Sequence, residues 1–338
     1  MERASNDAGM MRTPGFACTI LLLLAAGCAP PPAPVTPPPA AAPTAAAPAD
    51  EEGPRATVAR FQGDPRVGVY TSTPWSFSTS SYWIEGPEGL IVIDTQFLPS
   101  AATELVDAAE AATGKKVALA IVLHANPDKF NGTATLQARG VRVVTSAQVK
   151  RLIPGVHEKR LKAFYDRYEP DYPRDAAAPD AFGDATTTLS AGGVSVKAHV
   201  MGPGCSEAHV VVELEGHLFA GDLIANGAHS WLEIGRTDEW LRRLQEMRAL
   251  SPRFVHPGRG PSGGPELLDQ EESYLRRVIA LVAEERPAMP PPPGAIDRVK
   301  ARVREAYPDL GFPVFLSLGV PAEWRRQAAP GGKLAPQP

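Results

Sequence analysis

Side chains that can bind metals, transfer protons or act as nucleophiles follow short apolar runs at several places in this sequence. Asp94 ends the run Leu90–Ile93, and His124 comes directly after the run Val117–Leu123. Three places further along the chain carry a thiol, a carboxylate and a guanidinium: Gly202–Ser206 with Cys205, Gly221-Asp222, and Pro257–Gly260 with Arg259. In α/β proteins, reactive groups lie in loops at the carboxyl ends of strands. The pattern therefore predicts that these residues meet in one site.

The elements that would position these residues alternate between strands and helices. The aliphatic runs Leu90–Ile93 and Val117–Leu123 are typical of buried strands. A helix is predicted over Ser100–Ala112, with its first residue as the cap, and another over 131–139 before a strand at Val141–Thr145. The order strand, helix, strand, helix, strand predicts an α/β fold.

The second half of the chain predicts hairpins followed by helices. A charged helix is expected between Ala147 and Tyr172, broken at Pro154. Glycine pairs and Glu-Gly turns predict hairpins. The expected hairpins are residues 185–200 and Val210–Leu214 with Leu218–Ala220. The expected later helices are Asp238–Leu250, Pro265–Glu285 and Ala295–Ala306.

The N-terminal residues have the features of an export signal. Residues 16–27 form an apolar run that is too short to span a bilayer but fits a signal-peptide core, and Leu24–Cys28 resembles a bacterial lipobox. We expect residues 1–28 to be a signal peptide with a lipobox and residues 29–55 a Pro/Ala-rich linker. The protein would then be lipid-anchored at the bacterial cell envelope. The alternative is a cleaved signal peptide with an incidental cysteine, which would give a periplasmic or secreted protein.

Charge and cysteine content exclude two classes of protein. The 338 residues carry a formal net charge of −4 without a basic run, so no nucleic-acid partner is expected. Cys205 is the only cysteine of the predicted folded domain, so no disulfide framework is expected either. A lone thiol in an exported protein is explained by burial, metal ligation or reactivity. The sequence leaves the oligomeric state open.

Five segments in register resemble the metallo-β-lactamase superfamily. They are Gly89–Asp94, Leu123–Lys129, Gly202–Ser206, Leu218–Asp222 and Val255–Gly260. The resemblance implies a four-layer αββα sandwich with its site at one edge. The corresponding domain would occupy residues 56–338, including the C-terminal helices.

The resemblance also implies a ligand set, which this sequence keeps only in part. Three positions match the family's metal ligands: His124, Asp128 and Asp222. Four positions where the family has histidine carry other residues: Asn126, Lys129, Cys205 and Arg259. One half-site would therefore consist of His124, Asn126, Cys205 and Asp222.

The two half-sites differ in the metal chemistry that they allow. Imidazole, thiolate and carboxylate bind zinc well, and an asparagine carbonyl binds it weakly, so the first half-site predicts a single zinc ion. The second half-site would combine Asp128 and Asp222 with Lys129 or Arg259, and neither cation offers a lone pair at neutral pH. The two-metal mechanism of the family is therefore not expected here.

Two functions follow from these residues. The first is one-zinc hydrolysis of an ester, thioester or amide in a small-molecule substrate. Asp128 would orient water or act as the base, and Lys129 or Arg259 would bind an anionic group or the oxyanion. His229 would contact substrate, while His209 and His256 are further histidines that could replace a lost ligand.

The alternative function is that of a metal-free protein that binds an anionic ligand at the cell envelope. The two cations would then neutralise the two carboxylates directly. Thiol chemistry at Cys205 is the weakest hypothesis, since its sequence neighbourhood holds no clear base or resolving thiol.

Overall fold

Two β-sheets form the centre of the protein, for which a computed structural model describes residues 55–329. The first sheet has seven strands in chain order, antiparallel from β1 to β4 and parallel from β4 to β7. Its strands are β1 (Thr57–Arg60), β2 (Val67–Thr71), β3 (Ser80–Glu85), β4 (Leu90–Ile93), β5 (Val117–Ile121), β6 (Arg142–Thr145) and β7 (Asp180–Ala181).

The second sheet has five strands in the order β12-β11-β10-β9-β8. Its pairs are antiparallel except for β11 and β12, which run parallel. Its strands are β8 (Thr187–Ala191), β9 (Val194–Met201), β10 (His209–Leu214), β11 (His217–Ala225) and β12 (Phe254–Arg259).

The helices divide between the two sheets. The first four helices each follow a strand of the first sheet in the chain, and the last four pack on the side of the second sheet. They are α1 (Pro99–Thr113), α2 (Pro127–Phe130), α3 (Thr133–Ala138), α4 (Ala147–Tyr168), α5 (Thr237–Ala249), α6 (Glu266–Glu284), α7 (Ala295–Ala306) and α8 (Leu316–Ala328).

The alternation of side chains along β10 shows how the layers are stacked. Val210 and Val212 pack in the apolar cluster that includes the first sheet, whereas Val211 packs in the cluster formed with the C-terminal helices. Successive strand residues point to opposite faces, so β10 is buried on both. This arrangement confirms the predicted αββα sandwich.

Three local expectations were wrong. Ser100 does not cap α1: Leu98 is the N-cap residue, and the Ser100 hydroxyl donates to Asp171 instead. Pro154 does not break α4, because Val149 and Ile153 before it are buried and hold that helix against the core. Helix α8 lay outside the sequence-based assignment, although Trp324 within it is fully buried.

The predicted signal peptide and nearly all of the predicted linker lie outside the described residues, so both stay predictions. Within residues 55–329, no helix combines the length and apolar character needed to cross a membrane.

Candidate metal centre

Asp94 fixes the end of β4 at the edge where the site lies. Its backbone has φ of 64°, and its carboxylate accepts a hydrogen bond of 2.8 Å from the Leu123 N–H at the end of the neighbouring strand. Burial raises the pKa of Asp94 to about 8. Asp94 therefore ties β4 to the chain that leads directly into His124.

Three potential zinc ligands meet where the two sheets approach each other. His124 follows β5, His209 begins β10, and the two residues form an isolated bridge between the sheets. Cys205 lies in the loop between β9 and β10. The Cys205 Sγ lies 3.2 Å from His209 Nε2 and 4.0 Å from His124 Nε2, and all three side chains are buried. The ligand atoms of this cluster are within 4.8 Å of one another.

The backbone of the β9–β10 loop sets the orientation of the His209 ring. Nδ1 lies 3.0 Å from the carbonyl oxygen of Gly202, to which it must donate, while Nε2 accepts from the Ser206 N–H at 3.3 Å. These contacts assign the proton to Nδ1. Nε2 therefore carries the lone pair of the ring, as a metal-ligating histidine requires, and it lies 3.2 Å from Cys205 Sγ.

The spacing of the donor atoms fits one zinc ion. With Zn–N near 2.1 Å and Zn–S near 2.3 Å, ligand atoms around a tetrahedral ion lie about 3.3 to 3.6 Å apart. Asp222 Oδ2 lies 3.6 Å from His124 Nε2, and the sulfur distances of 3.2 and 4.0 Å bracket the same range. The residues present therefore match a single site with two imidazoles and one thiolate, and the Asp222 carboxylate lies beside it on the His124 side.

Burial favours the neutral forms of two members of this cluster, Cys205 and His209. It raises the pKa of the Cys205 thiol well above its usual value and lowers the pKa of His209 to about 3. Neutral imidazole is the form that binds metal, whereas the thiol must lose its proton. We expect zinc binding to release a proton from Cys205.

Two cations hold the carboxylates of the second half-site. Lys129 Nζ lies 2.9 Å from Asp222 Oδ1 and 3.0 Å from Asp128 Oδ2. Arg259 spans the same carboxylates, at 2.7 Å from Asp222 Oδ2 and 2.8 Å from Asp128 Oδ2. The absence of a side chain at Gly258 permits this packing, since a Cβ there would lie 1.9 Å from Asp222 Oδ1.

The charges in this half-site neutralise one another. Burial alone would raise the pKa of Asp222, but Arg259 and Lys129 hold it well below its usual value. The carboxylates likewise raise the pKa of Lys129 above its usual range, although burial opposes them. Both cations stay protonated at neutral pH, so the space between Asp128 and Asp222 holds fixed positive charge rather than a second metal ligand.

A pocket with aromatic walls opens onto the two carboxylates. Asn126 and Arg160 stand at its mouth and also line a groove beside α4 that reaches Cys205. The side-chain amide of Asn126 makes no hydrogen bond within residues 55–329. The aromatic side chains around the pocket are Phe77, Phe97, Phe164, Trp231 and Phe315.

The remaining predicted histidines lie elsewhere. His229 does not line this pocket; it is buried, and its Nδ1 lies 3.0 Å from the hydroxyl of Tyr274 on α6. A contact between His229 and substrate therefore stays a prediction. His256 contacts His217 and Ser262 rather than the cluster.

His209 is the member of this cluster to which sequence reasoning gave too little weight. It was one of several isolated histidines, and isolated histidines are more often structural. The signal was its position four residues after Cys205. A glycine-containing loop that turns back into a strand can bring two residues at this spacing close together. Here the Gly204 N–H donates to the Ser206 carbonyl at 2.9 Å and stabilises the turn.

Known proteins with this arrangement belong to one family. The family model of the metallo-β-lactamase superfamily matches residues 75–259. Among curated proteins, "Metallo-beta-lactamase type 2" from Bacillus cereus and that from Bacillus sp. (strain 170) are each 26% identical over 191 residues, which is 54% of this chain. The match spans 66% of the length of these relatives.

Solved structures show the same fold. A metallo-β-lactamase from Pontibacter korlensis is 23% identical with a TM-score of 0.52, over 66% of this chain and 99% of that one. The metallo-β-lactamase FIM-1 from Pseudomonas aeruginosa, solved in its mono-zinc form, is 18% identical with a TM-score of 0.51, over 67% of this chain and 96% of that one. With the family model covering more than half of the sequence, this chain belongs to the metallo-β-lactamase superfamily.

Proposed function

We propose that this protein is a one-zinc hydrolase that cleaves an ester, thioester or amide bond in a small-molecule substrate. The observation that carries the proposal is the convergence of His124, Cys205 and His209 within 4.8 Å, beside Asp222. A zinc ion held by these residues would act as a Lewis acid and lower the pKa of water toward neutrality. The family membership supports hydrolysis as the reaction class.

Lys129 and Arg259 serve in this proposal as positioning residues. Lys129 is fully buried between its carboxylate partners. Arg259 has each guanidinium nitrogen engaged, because its Nε also donates to the Phe77 carbonyl at 3.1 Å. They therefore hold Asp222 toward the zinc ligands rather than binding an anionic group of the substrate, which differs from the role that the sequence predicted for them.

Asp128 is a poor candidate for the general base. Burial opposes its ionisation, yet Lys129 and Arg259 lower its pKa below the usual value. A base works best when its pKa is near the operating pH, and a carboxylate held by two cations is far below it. Asp128 can still accept a hydrogen bond from an attacking water, so an orienting role is retained.

Asn126 is the best-placed group to stabilise the oxyanion. Its amide lies at the junction of the aromatic pocket and the groove that reaches Cys205, and it has no hydrogen bond to give up within residues 55–329. A preorganised neutral donor aimed at developing charge contributes most where water is excluded. Asn126 would therefore act on the substrate carbonyl instead of serving as a metal ligand.

The metal-free anion-binding protein is the competing function. The structure offers it little support at this pocket, because the charges of Lys129 and Arg259 are already neutralised by Asp128 and Asp222. An anion placed there would face no unpaired cation. We further propose that the domain acts at the cell envelope, on the strength of the export signal and lipobox in residues 1–28.

Titration of zinc into chelator-treated, full-length protein tests the hydrolase. We expect hydrolysis of at least one of an aryl ester, a thioester or a chromogenic β-lactam to appear with the first equivalent and not to rise with a second. Asn126→Ala should keep its zinc and lose about 100-fold in kcat. Hydrolysis over many turnovers that persists in the chelated protein, or zinc-loaded protein inactive on every substrate, would rule the proposal out.

A further inference from the structure

A second cluster of reactive side chains lies on the same sheet as the metal centre but far from it. His217 begins β11, five positions before Asp222 on that strand, and His256 lies on β12 opposite Phe219. At about 3.3 Å per strand residue, His217 is about 16 Å from the metal centre. The His217 end of the cluster therefore lies well away from the metal centre.

Four side chains form a continuous chain of contacts there. Asp64 Oδ2 lies 3.3 Å from His217 Nε2, and His217 Nδ1 lies 2.9 Å from His256 Nε2. His256 Nδ1 lies in turn 2.8 Å from the hydroxyl oxygen of Ser262. The two imidazole rings are nearly coplanar, at an interplanar angle of 6°, so their nitrogens face each other in line.

The carboxylate at one end fixes the direction of every proton in this chain. Arg66 keeps the pKa of Asp64 low, at about 2, so Asp64 can only accept and His217 must donate from Nε2. His217 Nδ1 then accepts from His256 Nε2, which leaves His256 Nδ1 as the acceptor for the Ser262 hydroxyl. This is the polarity by which a histidine backed by a carboxylate activates a serine nucleophile.

The two histidines in this chain of contacts are shielded from water, whereas the serine is not. His217 and His256 are at most 1% exposed, and the rings of Phe61, Phe219 and Phe254 pack against them. Ser262, at the other end of the chain of contacts, is half-buried. Burial lowers the pKa of His256 to about 3, so this ring is neutral and its Nδ1 can accept a proton, but it is a weak base that depends on Asp64 and His217 to stabilise its protonated form.

The local sequence holds Ser262 in a turn suited to this role. Gly260–Gly264 has the pattern Gly-x-Ser-x-Gly and connects strand β12 to helix α6, as in the strand–turn–helix of a nucleophile elbow. Gly260 has φ of 84°, and a Cβ there would lie 1.7 Å from the Asn226 carbonyl oxygen. A hydrogen bond of 3.1 Å from the Gly263 N–H to the Val255 carbonyl clamps the turn against β12.

We propose that Ser262 is a second nucleophilic centre, which accepts an acyl group from activated esters through the relay Ser262–His256–His217–Asp64. The Ser262 oxygen forms a bond to the ester carbonyl carbon, and its proton passes to His256 Nδ1. The bond to the leaving alcohol then breaks, and that alcohol takes the proton from His256. The products are an acyl-serine and a free alcohol, so no further reactant is needed.

The acyl-serine accumulates instead of turning over quickly. The Gly263 N–H is engaged by the Val255 carbonyl, and the Gly264 N–H donates to Glu266. Neither backbone donor is free to stabilise an oxyanion, which slows acylation and deacylation alike. Acylation still proceeds with activated esters, whose alcohols are good leaving groups, whereas the acyl-serine is an ordinary alkyl ester with a poor one. Ser262 is thus a site of covalent acylation with slow release.

Labelling of the full-length protein with a fluorophosphonate probe tests this centre, with the modified residue located by peptide mass spectrometry. We expect Ser262 to be labelled, and 4-nitrophenyl acetate to give a burst of about one equivalent of nitrophenol. Ser262→Ala should abolish both signals, whereas Ser195→Ala, at an exposed serine of β9, should change neither. His256→Gln should slow labelling by about 100-fold.

Two further variants separate this centre from the metal site and from misfolding. Cys205→Ser should retain full Ser262 labelling, because that reaction is independent of zinc. His217→Gln leaves the Ser262–His256 contact intact and should still slow labelling in protein whose circular dichroism is unchanged. Folded wild-type protein that acquires no label at Ser262 would overturn the proposal. Labelling of both histidine variants at the wild-type rate would do so too.

Discussion

Replacement of Cys205 with serine is expected to lower the affinity for zinc by at least about 100-fold, which is the upper end of the cost of losing an outer-shell partner of a metal. A hydroxyl stays protonated at neutral pH and is a far weaker zinc ligand than a thiolate, while the volume change is small. Because Cys205 is buried at 3.2 Å from His209 Nε2, no water can replace the sulfur without rearrangement. Competition with a chromophoric chelator measures the affinity directly.

His209→Gln is expected to match the loss seen for Cys205→Ser, since both remove one of three converging donors. His199→Gln is the matched control: His199 lies on β9, and its Nε2 pairs with Glu213 at 2.6 Å instead of facing the cluster. His229→Gln should also leave zinc binding unchanged. An unaltered affinity in His209→Gln, or an equal loss in His199→Gln, is incompatible with the proposed ligand set.

Lys129→Met is expected to reduce the free energy of unfolding by about 3 to 5 kcal/mol at neutral pH. The ammonium group has no exposed surface and lies within 4.0 Å of three carboxylates, those of Asp94, Asp128 and Asp222. Its removal leaves buried negative charge with Arg259 as the remaining partner. Urea unfolding followed by circular dichroism gives the difference.

The loss of stability in Lys129→Met should depend on pH in a predictable direction. Lys129 helps to lower the pKa of Asp128 and Asp222 in the folded state, so their contribution to stability is fully present above the ordinary carboxyl pKa and is lost as the pH falls from there through their lowered folded-state pKa. The difference between wild type and Lys129→Met should therefore narrow below about pH 4. Lys162→Met, at an exposed ion pair with Glu158, should change stability by about 0.5 kcal/mol or less. A Lys129→Met protein as stable as that control would contradict the charge arrangement.

Most of what could be predicted came from polar residues that directly follow apolar runs in the sequence. Apolar runs that end in Asp94, His124 and Asp222 specify both the strands and the edge at which they meet. The substitution of lysine and arginine for histidine was enough to separate the two half-sites, because neither cation can ligate a metal at neutral pH. These inferences depend on residue chemistry, which is present in the sequence itself.

Other features depend on the three-dimensional packing and were missed for that reason. His209 reaches Cys205 and His124 because the β9–β10 loop folds back, which hydrophobic periodicity does not indicate. Arg259 was predicted to bind substrate, but its three contacts are visible only when Asp128, Asp222 and Phe77 are brought together from distant parts of the chain. The relay to Ser262 likewise joins residues that are up to 198 positions apart, from position 64 to position 262.

Zinc K-edge X-ray absorption on full-length protein loaded with zinc, combined with metal analysis, tests the one-zinc centre most directly. We expect one zinc per chain, with a single sulfur neighbour at about 2.3 Å and nitrogen or oxygen neighbours at about 2.0 to 2.1 Å. The sulfur signal should vanish in Cys205→Ser. A spectrum without sulfur, a second zinc bound as tightly as the first, or protein that retains no zinc at all would contradict a centre formed by His124, Cys205 and His209.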